Sequence, residues 1–357
     1  MFKRNWFLMI FSIALLLVVT ACSDDSSGSE SDSSDGTEEN ATNNGAGEGS
    51  SDEVYTIRVA MAVPETHASS IAMNEVKDSI TEKSDGRIVI ELYDNAQLYP
   101  SDREAVEATQ IGNIESTAIA TPTVATFHER FSIFDMPFLF NDRQAAYRAM
   151  DGDLGNTLNE ELEEVGLVSL GYGENGFRHI LNSKHPVEKP EDMEGFKFRV
   201  MENKVYEEMF NELGANSSPL AFGELYTALQ QGVYDGMDNP ISLVYTMKFY
   251  EVQDYLTLSS HTFAPIITVI NKDYYDSMPE DLQQILQEGM DEFHQRQRQI
   301  TAEQDDEYIK TLEEEMEINE LTPEQKELFI NKLEPIYEKY KDVVGEDLME
   351  MARQANE

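Results

Sequence analysis

Between Pro279 and Leu321 the chain is helical sequence throughout, with one glycine, at position 289, and no further proline until position 323. Leu282, Ile285, Met290, Phe293, Ile300, Ile309, Leu312 and Met316 recur along it as an apolar stripe, so one side of this helix is built to be covered. About forty helical residues extend about 60 Å, more than the width of one lobe. The roughly 300 residues that follow residue 53 are enough for two lobes with a substantial core, and a helix of that length could bridge both.

The rest of the chain supplies the lobes. Val54 to Met61 alternates with period two, Tyr55, Ile57, Val59 and Met61 against Thr56, Arg58 and Ala60, and reads as a first strand. Pro64 to His67 is then a loop. A helix follows, with Ser69 or Ser70 as its cap and Ile71, Met73, Val76 and Ile80 as its apolar side, closing at Asp85 and Gly86. Arg87 to Tyr93 is a second strand, Asp102 to Ile111 a helix, Ser116 to Ala120 a short buried strand. Leu167 to Tyr172 is another strand, ending in a glycine-rich turn that runs to Arg178. Phe196 to Met201 is a strand, Val205 to Leu213 and Phe222 to Gln230 are helices ended by Gly214 and Gly232, and Ala264 to Ile270 is an apolar strand. Strands alternating with helices predict α/β lobes, whose ligands sit at the carboxyl edges of the strands. The phenylalanines at 127, 131, 134, 138 and 140 read as core packing, with an aromatic binding floor as the alternative.

The ends set the address. Lys3 and Arg4 precede the apolar run Trp6 to Val19, and Thr20, Ala21 and Cys22 follow it, which has the charge, length and small-residue exit of a signal peptide and is too short for a permanent span. Val19-Thr20-Ala21-Cys22 resembles a bacterial lipobox, which implies that residues 1–21 are removed and that Cys22 carries a lipid anchor. It is the only cysteine of the chain, so no internal disulfide exists. Residues 22–53 then shift to Ser, Gly, Asn and acid. Ten acids without one base repel each other along a segment with nothing apolar to bury, and predict an extended tether.

Setting aside the ten acids and two bases of residues 1–53 leaves 59 acids and 24 bases, a net charge of −35 on the body. Phosphate binding needs a basic face, so nucleic acid is excluded as a partner. An anionic ligand must be held by local cations against the net field. For catalysis the chain offers no thiol nucleophile in the body and no Gly-x-Ser-x-Gly elbow. Its histidines at 67, 128, 179, 185, 261 and 294 include no pair at metal-ligand spacing with a third ligand nearby. Neither enzyme, metal nor cofactor is expected.

The stretch GFKFRVMENKVYEEMFNELGANSSPLAFGELYTALQQGVYDGMDNP, with Asn175-Gly-Phe-Arg178 before it, resembles the signature region of DctP-type receptors of TRAP transporters. The similarity runs from Val54 through most of the C-terminal helices. It implies a two-lobed fold like that of type II periplasmic binding proteins, with the ligand cleft between lobe I, residues 54–175 plus 265–304, and lobe II, residues 176–264 plus 305–357. It further implies a monomeric extracytoplasmic receptor that delivers a small organic acid, a C4-dicarboxylate or a sugar acid, to the small and large TRAP membrane subunits. An ABC-importer receptor, a ligand sensor and, remotely, an extracellular hydrolase are the alternatives.

Carried over residue by residue, the resemblance makes Arg199 the ligand's carboxylate partner, with Arg178 and Asn239 completing the clamp, Asn175 beside them and Phe222 lining the pocket. Asp238 stands where the family more often has Glu, which shortens its reach. Thr121 stands where sialic-acid receptors carry an acid. Glu65 and His67 follow the first strand, where the family contacts the far end of its ligand, and with Asp238 they lean toward a hydroxylated sugar acid. The residues also have plainer readings. Arg199 and Arg178 each suit a salt bridge to one of the many acids, Phe222 suits the core, and Asn239 before Pro240 suits a turn. In favour of Arg199, a planar guanidinium meets a carboxylate with two parallel bonds, which lysine cannot do.

Overall fold

The computed structural model describes residues 53–357. The expected leader, Cys22 and the tether up to residue 52 lie outside the described residues.

In chain order, β1 (Tyr55–Ala60), α1 (Ala68–Lys83) and β2 (Ile88–Tyr93) form a parallel strand-helix-strand unit, followed by α2 (Asp102–Gln110), β3 (Ser116–Ala120) and the short α3 (Thr121–Val124). A 3-10 segment, Glu129–Asp135, and the helices α4 (Arg143–Asp151) and α5 (Asp153–Leu162) lead into the long strand β4 (Leu167–Asn182). Next come β5 (Lys197–Val200), α6 (Lys204–Glu212), β6 (Asn216–Pro219), α7 (Leu225–Gln230), β7 (Gly236–Pro240) and α8 (Ile241–Thr246). A second long strand, β8 (Tyr255–Asn271), precedes α9 (Lys272–Ser277), α10 (Glu280–Glu315), β9 (Glu317–Glu320), α11 (Pro323–Val344) and α12 (Glu346–Ala355).

The nine strands of the described residues join one open sheet in the order β2-β1-β3-β8-β4-β7-β5-β6, with β9 added against β8. Its two flanks are parallel sets, β2-β1-β3 and β7-β5-β6, and the antiparallel pair β8 and β4 joins them. Each flank carries its own helices, which gives the two lobes. The first packs α1 and the N-terminal half of α10 on β1 and β2, around Ile57, Met73, Leu286 and Phe293. On the second, Leu181, Leu229, Met237 and Ile241 meet the C-terminal half of α10 through Tyr308 and Leu312. The long helix thus bridges both lobes, as its length predicts. It is seated closely on the first, since a Cβ at Gly289 would overlap the Ile80 side chain. The phenylalanine-rich segment is core, with Phe131, Phe134 and Phe140 buried among α4, α5 and the C-terminal helices.

Three local readings change. The stretch from Gly171 to Arg178 is no turn, because β4 continues through it to Asn182 beside β8. The glycines instead mark irregular crossings, with register shifts between Ser169 and Tyr172 and between Glu174 and Gly176. Gly171 has φ +114°, and side chains at Gly171 and Gly173 would stand 2.9 Å from His294 Nδ1 and 2.7 Å from Gln297 Oε1. They are glycine because α10 lies on the strand there. Secondly, α10 ends at Glu315, and Met316 turns extended so that Glu317–Glu320 pairs in parallel with Tyr255–Leu258. Thirdly, α1 is capped by His67, two residues before Ser69, and its Nδ1 accepts from the Ser69 amide at 3.2 Å.

Candidate functional site

The parallel strands β1, β3, β5 and β7 all end at one cavity between the lobes, where an open α/β sheet exposes its strand termini. Some 520 Å³ there is free of protein atoms, the open solvent at its mouth included. The first lobe contributes Ala62, Val63, Ser69, Asp102 and Ala118 to Ala120. From the second come Arg178, Arg199, Met201, Phe222, Asn239 and Leu243, and Asn175 and Ile266 come from the joining strands.

Side-chain alternation brings the arginines there. On β5, Phe198 and Val200 point into the core while Arg199 turns the other way, and it is still 98% covered by the surrounding wall, its exposure being 2%. Its Nε and Nη2 both donate to the Leu220 carbonyl, at 3.0 and 2.6 Å. Its Nη1 is buried and has no partner. Among the described residues no carboxylate lies within ion-pair distance of it, so the salt-bridge reading of Arg199 does not describe this structure. Burial, then the nearby Arg178 guanidinium, lowers Arg199 to about 10, which leaves it charged at neutral pH.

Arg178 is differently placed. Its exposure is 1%, its Nε donates to Asp238 Oδ2 at 2.5 Å, and its Nη2 donates to the Asp238 carbonyl at 2.6 Å. On the antiparallel ladder Asp238 faces Ile180, which makes it the diagonal neighbour of Arg178 on the same sheet face. That proximity is why the short acid reaches. His261 Nε2 lies 3.3 Å from the same oxygen, and the Tyr206 ring lies 5.3 Å below the guanidinium. Burial by itself raises the Asp238 carboxyl, but Arg178 and His261 outweigh it and hold it well below the carboxylate range. Asp238 is therefore spent on Arg178 and is absent from the cavity wall, although its Oδ1 has no partner.

Asn239 is buried, and its Nδ2 points at Met237 Sδ, 3.1 Å away. Asn175 sits at the β4 irregularity next to Glu174, whose backbone N–H and C=O are both bound by the Gln297 side-chain amide of α10, at 2.7 and 2.6 Å. Phe222 lines the cavity edge-on to Phe249, 6.1 Å between centroids, so it is part wall and part core. The structure brings Arg199, Arg178, Asn175, Asn239 and Phe222 together from four separate stretches of sequence. It does not bring Glu65 or His67. Glu65 is exposed and borders a separate surface depression with Glu75 and Lys77. His67 is buried as the helix cap, and burial lowers it to about 4.

Two further polar residues of the wall, Ser69 and Asp102, appear in the sequence only as a helix cap and a helix start, with no sign of a site. Ser69 is buried with its Oγ unpartnered, and Asp102 is partly buried at the start of α2. Burial pushes the Asp102 carboxyl up to about 6, against the opposing pull of the Ala120 amide and the Arg199 guanidinium. Among the described residues no group of three His, Cys, Asp or Glu side chains could hold a metal ion, and no helix is long and apolar enough to cross a membrane.

The same architecture occurs in proteins of known role. The C4-dicarboxylate-binding protein DctB of Bacillus subtilis is 31% identical over 304 residues, 85% of this chain and 86% of its own. The sugar acid binding protein DctPAm of Advenella mimigardefordensis, solved in complex with galactonate, superposes with a TM-score of 0.82 at 32% identity, covering 85% of this chain and 99% of that one. A TRAP periplasmic solute binding protein of Sulfurospirillum deleyianum with bound succinate gives 0.80 at 32% identity, over 85% and 99% of the two chains. The profile of the bacterial extracellular solute-binding proteins, family 7, matches residues 59–342, and with those relatives beside it the chain belongs to that family, DctP.

Proposed function

We propose that this protein is the solute receptor of a TRAP transporter, that it closes its lobes over a small organic acid, and that Arg199 holds the ligand's carboxylate with Arg178 and Asn239 beside it. The observation that carries the reading is the unpartnered, buried Nη1 of Arg199 at the cavity. A guanidinium already oriented by the Leu220 carbonyl presents its remaining edge to a carboxylate, and each charge-assisted bond contributes roughly 1.5–3 kcal/mol. Binding at about 1 μM needs about 8 kcal/mol, which one such contact and a few neutral hydrogen bonds supply. The receptors solved with succinate and with galactonate support an acid of this size. Binding and lobe closure are the whole mechanism, with no chemical step. The bound form is handed to membrane subunits, and Cys22 ties the receptor to the membrane through its lipid.

The test is calorimetric titration of dicarboxylates, aldonates and uronates. At least one is expected to bind near micromolar, and Arg199→Lys to weaken it by about 100-fold without moving the melting temperature of the empty protein. A variant that melts far earlier yet binds normally sinks the assignment of Arg199. Recovery of unchanged ligand after incubation checks the absence of turnover. Detergent-dependent release of the full chain from membranes checks the anchor.

A further inference from the structure

Apart from proline, glycine is the least favourable residue in a helical turn, and it is kept there where a neighbour leaves no room for a side chain. Gly223 stands in the 3-10 turn Phe222–Glu224 that leads into α7, and it has no positive φ to require it. A Cβ added there would stand 3.0 Å from the Pro100 carbonyl oxygen. Two other glycines that a Cβ would crowd meet their own lobe, Gly289 the Ile80 side chain of the first and Gly236 the Leu181 carbonyl of the second. Gly223 differs, since it belongs to the second lobe and Pro100, between β2 and α2, to the first. Both residues are exposed, yet each lies beside the cavity, which Phe222 lines from one side and Asp102 from the other. Backbone thus meets backbone between the lobes at the mouth of the cavity.

Resting on the lobe closure proposed above, we infer that Pro100 and Gly223 form the closing contact of the cleft, where the two lobes meet once a ligand is enclosed, and that position 223 is glycine so that they can meet. A methyl group in that gap is closer to the carbonyl oxygen than ordinary contact allows, and a backbone carbonyl, unlike a side chain, has no rotamer to turn away. The lobes would stop short and leave the mouth open. Water entering there screens the Arg199 guanidinium, and the ligand gains a way out. The cost falls on the closed form alone. In an open form the same side chain faces solvent from a helical turn, where alanine is favoured over glycine. Such a contact sets how long the ligand stays and takes no part in recognising its chemistry.

The test takes the full-length protein, with radiolabelled succinate and galactonate as probes, and compares the wild type with Gly223→Ala and Gly223→Val. Release is followed by a chase with excess unlabelled acid. It is expected to quicken about 3-fold in Gly223→Ala and at least about 10-fold in Gly223→Val, with affinity falling in step and the association rate held within about 2-fold. The melting temperature of the ligand-free protein is expected to stay level or rise slightly in Gly223→Ala. Glu224→Ala, at the exposed next residue, is expected to release its ligand at the wild-type rate. A Gly223→Val protein that releases at the wild-type rate, equal quickening in Glu224→Ala, or a ligand-free Gly223→Ala protein that melts well below the wild type overturns the closing contact and leaves the receptor reading standing. Failure of both acids to bind the wild type overturns that reading and the contact with it.

Discussion

Arg178 and Arg199 stand on strands β4 and β5, one strand apart across β7, and each is almost wholly buried at the same cavity. Their surroundings have little else in common. Arg178 has Asp238 in contact, His261 behind that acid and Asp135 near enough to be felt. Arg199 has one backbone carbonyl and an unpartnered nitrogen. In a body with so large an acidic excess, an internal partner for any arginine is easily supplied, so its absence at Arg199 is informative. A folded chain leaves a buried cation half-satisfied where something from outside completes it. Arg178 is then best understood as scaffold, a finished ion pair that fixes the positive wall, and Arg199 as the open valence.

The largest effect that tests this difference is on the finished pair. Asp238→Asn removes the charge that compensates Arg178 while leaving the side-chain shape, and is expected to cost roughly 3–5 kcal/mol of unfolding free energy by urea denaturation. Replacing both partners, Arg178→Met with Asp238→Leu, is expected to recover most of that loss, because no uncompensated charge is left behind. A loss below about 1 kcal/mol in the single variant would mean that Arg178 is already served by Asp135, and the contrast between the two arginines would blur.

The open arginine predicts the opposite sign. Arg199→Met keeps the length of the side chain and removes a desolvated charge, so the ligand-free protein is expected to gain about 1–2 kcal/mol while binding is lost. Stability gained at a position where affinity vanishes is the mark of a residue kept for its ligand. A destabilised Arg199→Met protein would instead assign the guanidinium to the fold through its two bonds to Leu220.

How much of this was readable beforehand follows the range of the interactions involved. β1 and β5 were legible because period-two alternation is local, and α10 because its stripe and its lack of breakers are local too. The far half of β4 is not legible locally, since glycines at positive φ inside an irregular strand have the same composition as a turn, and only pairing with β8, far away in sequence, keeps the chain extended there. β9 has no signal apart from its neighbour Tyr255–Leu258. In the site, Arg199, Arg178, Asn239, Asn175 and Phe222 converge because each is held by a strand or at the start of a helical turn, where the pleat or the register decides its direction. Glu65 and His67 belong to a loop, and the helix start claims His67 as its cap. Asp102 was invisible as one of 69 acids, with nothing local to say that the N-terminus of α2 faces Arg199 across the cleft.

The smallest effect concerns Asp135, the second carboxyl near Arg178. It is buried, accepts from Asn203 Nδ2 at 2.8 Å through Oδ2, and has no partner at Oδ1. Burial pushes it up to about 7, although the Asn203 bond and Arg178 both pull it down. Its folded value thus lies above its unfolded one, and the folded state holds the proton more tightly. The associated stability is fully present below the ordinary carboxylate range and is lost as pH rises through about 7. Asp135→Asn cannot ionise. Relative to the wild type it is expected to become steadily more stable as pH rises from about 5 to about 7, by at most about 1 kcal/mol per pH unit, as read from urea midpoints. If the two proteins keep parallel pH profiles, Asp135 is ionised in the folded state at neutral pH. Arg178 would then hold two carboxylates while Arg199 holds none, and the asymmetry between the two arginines would be wider than the single Asp238 pair implies.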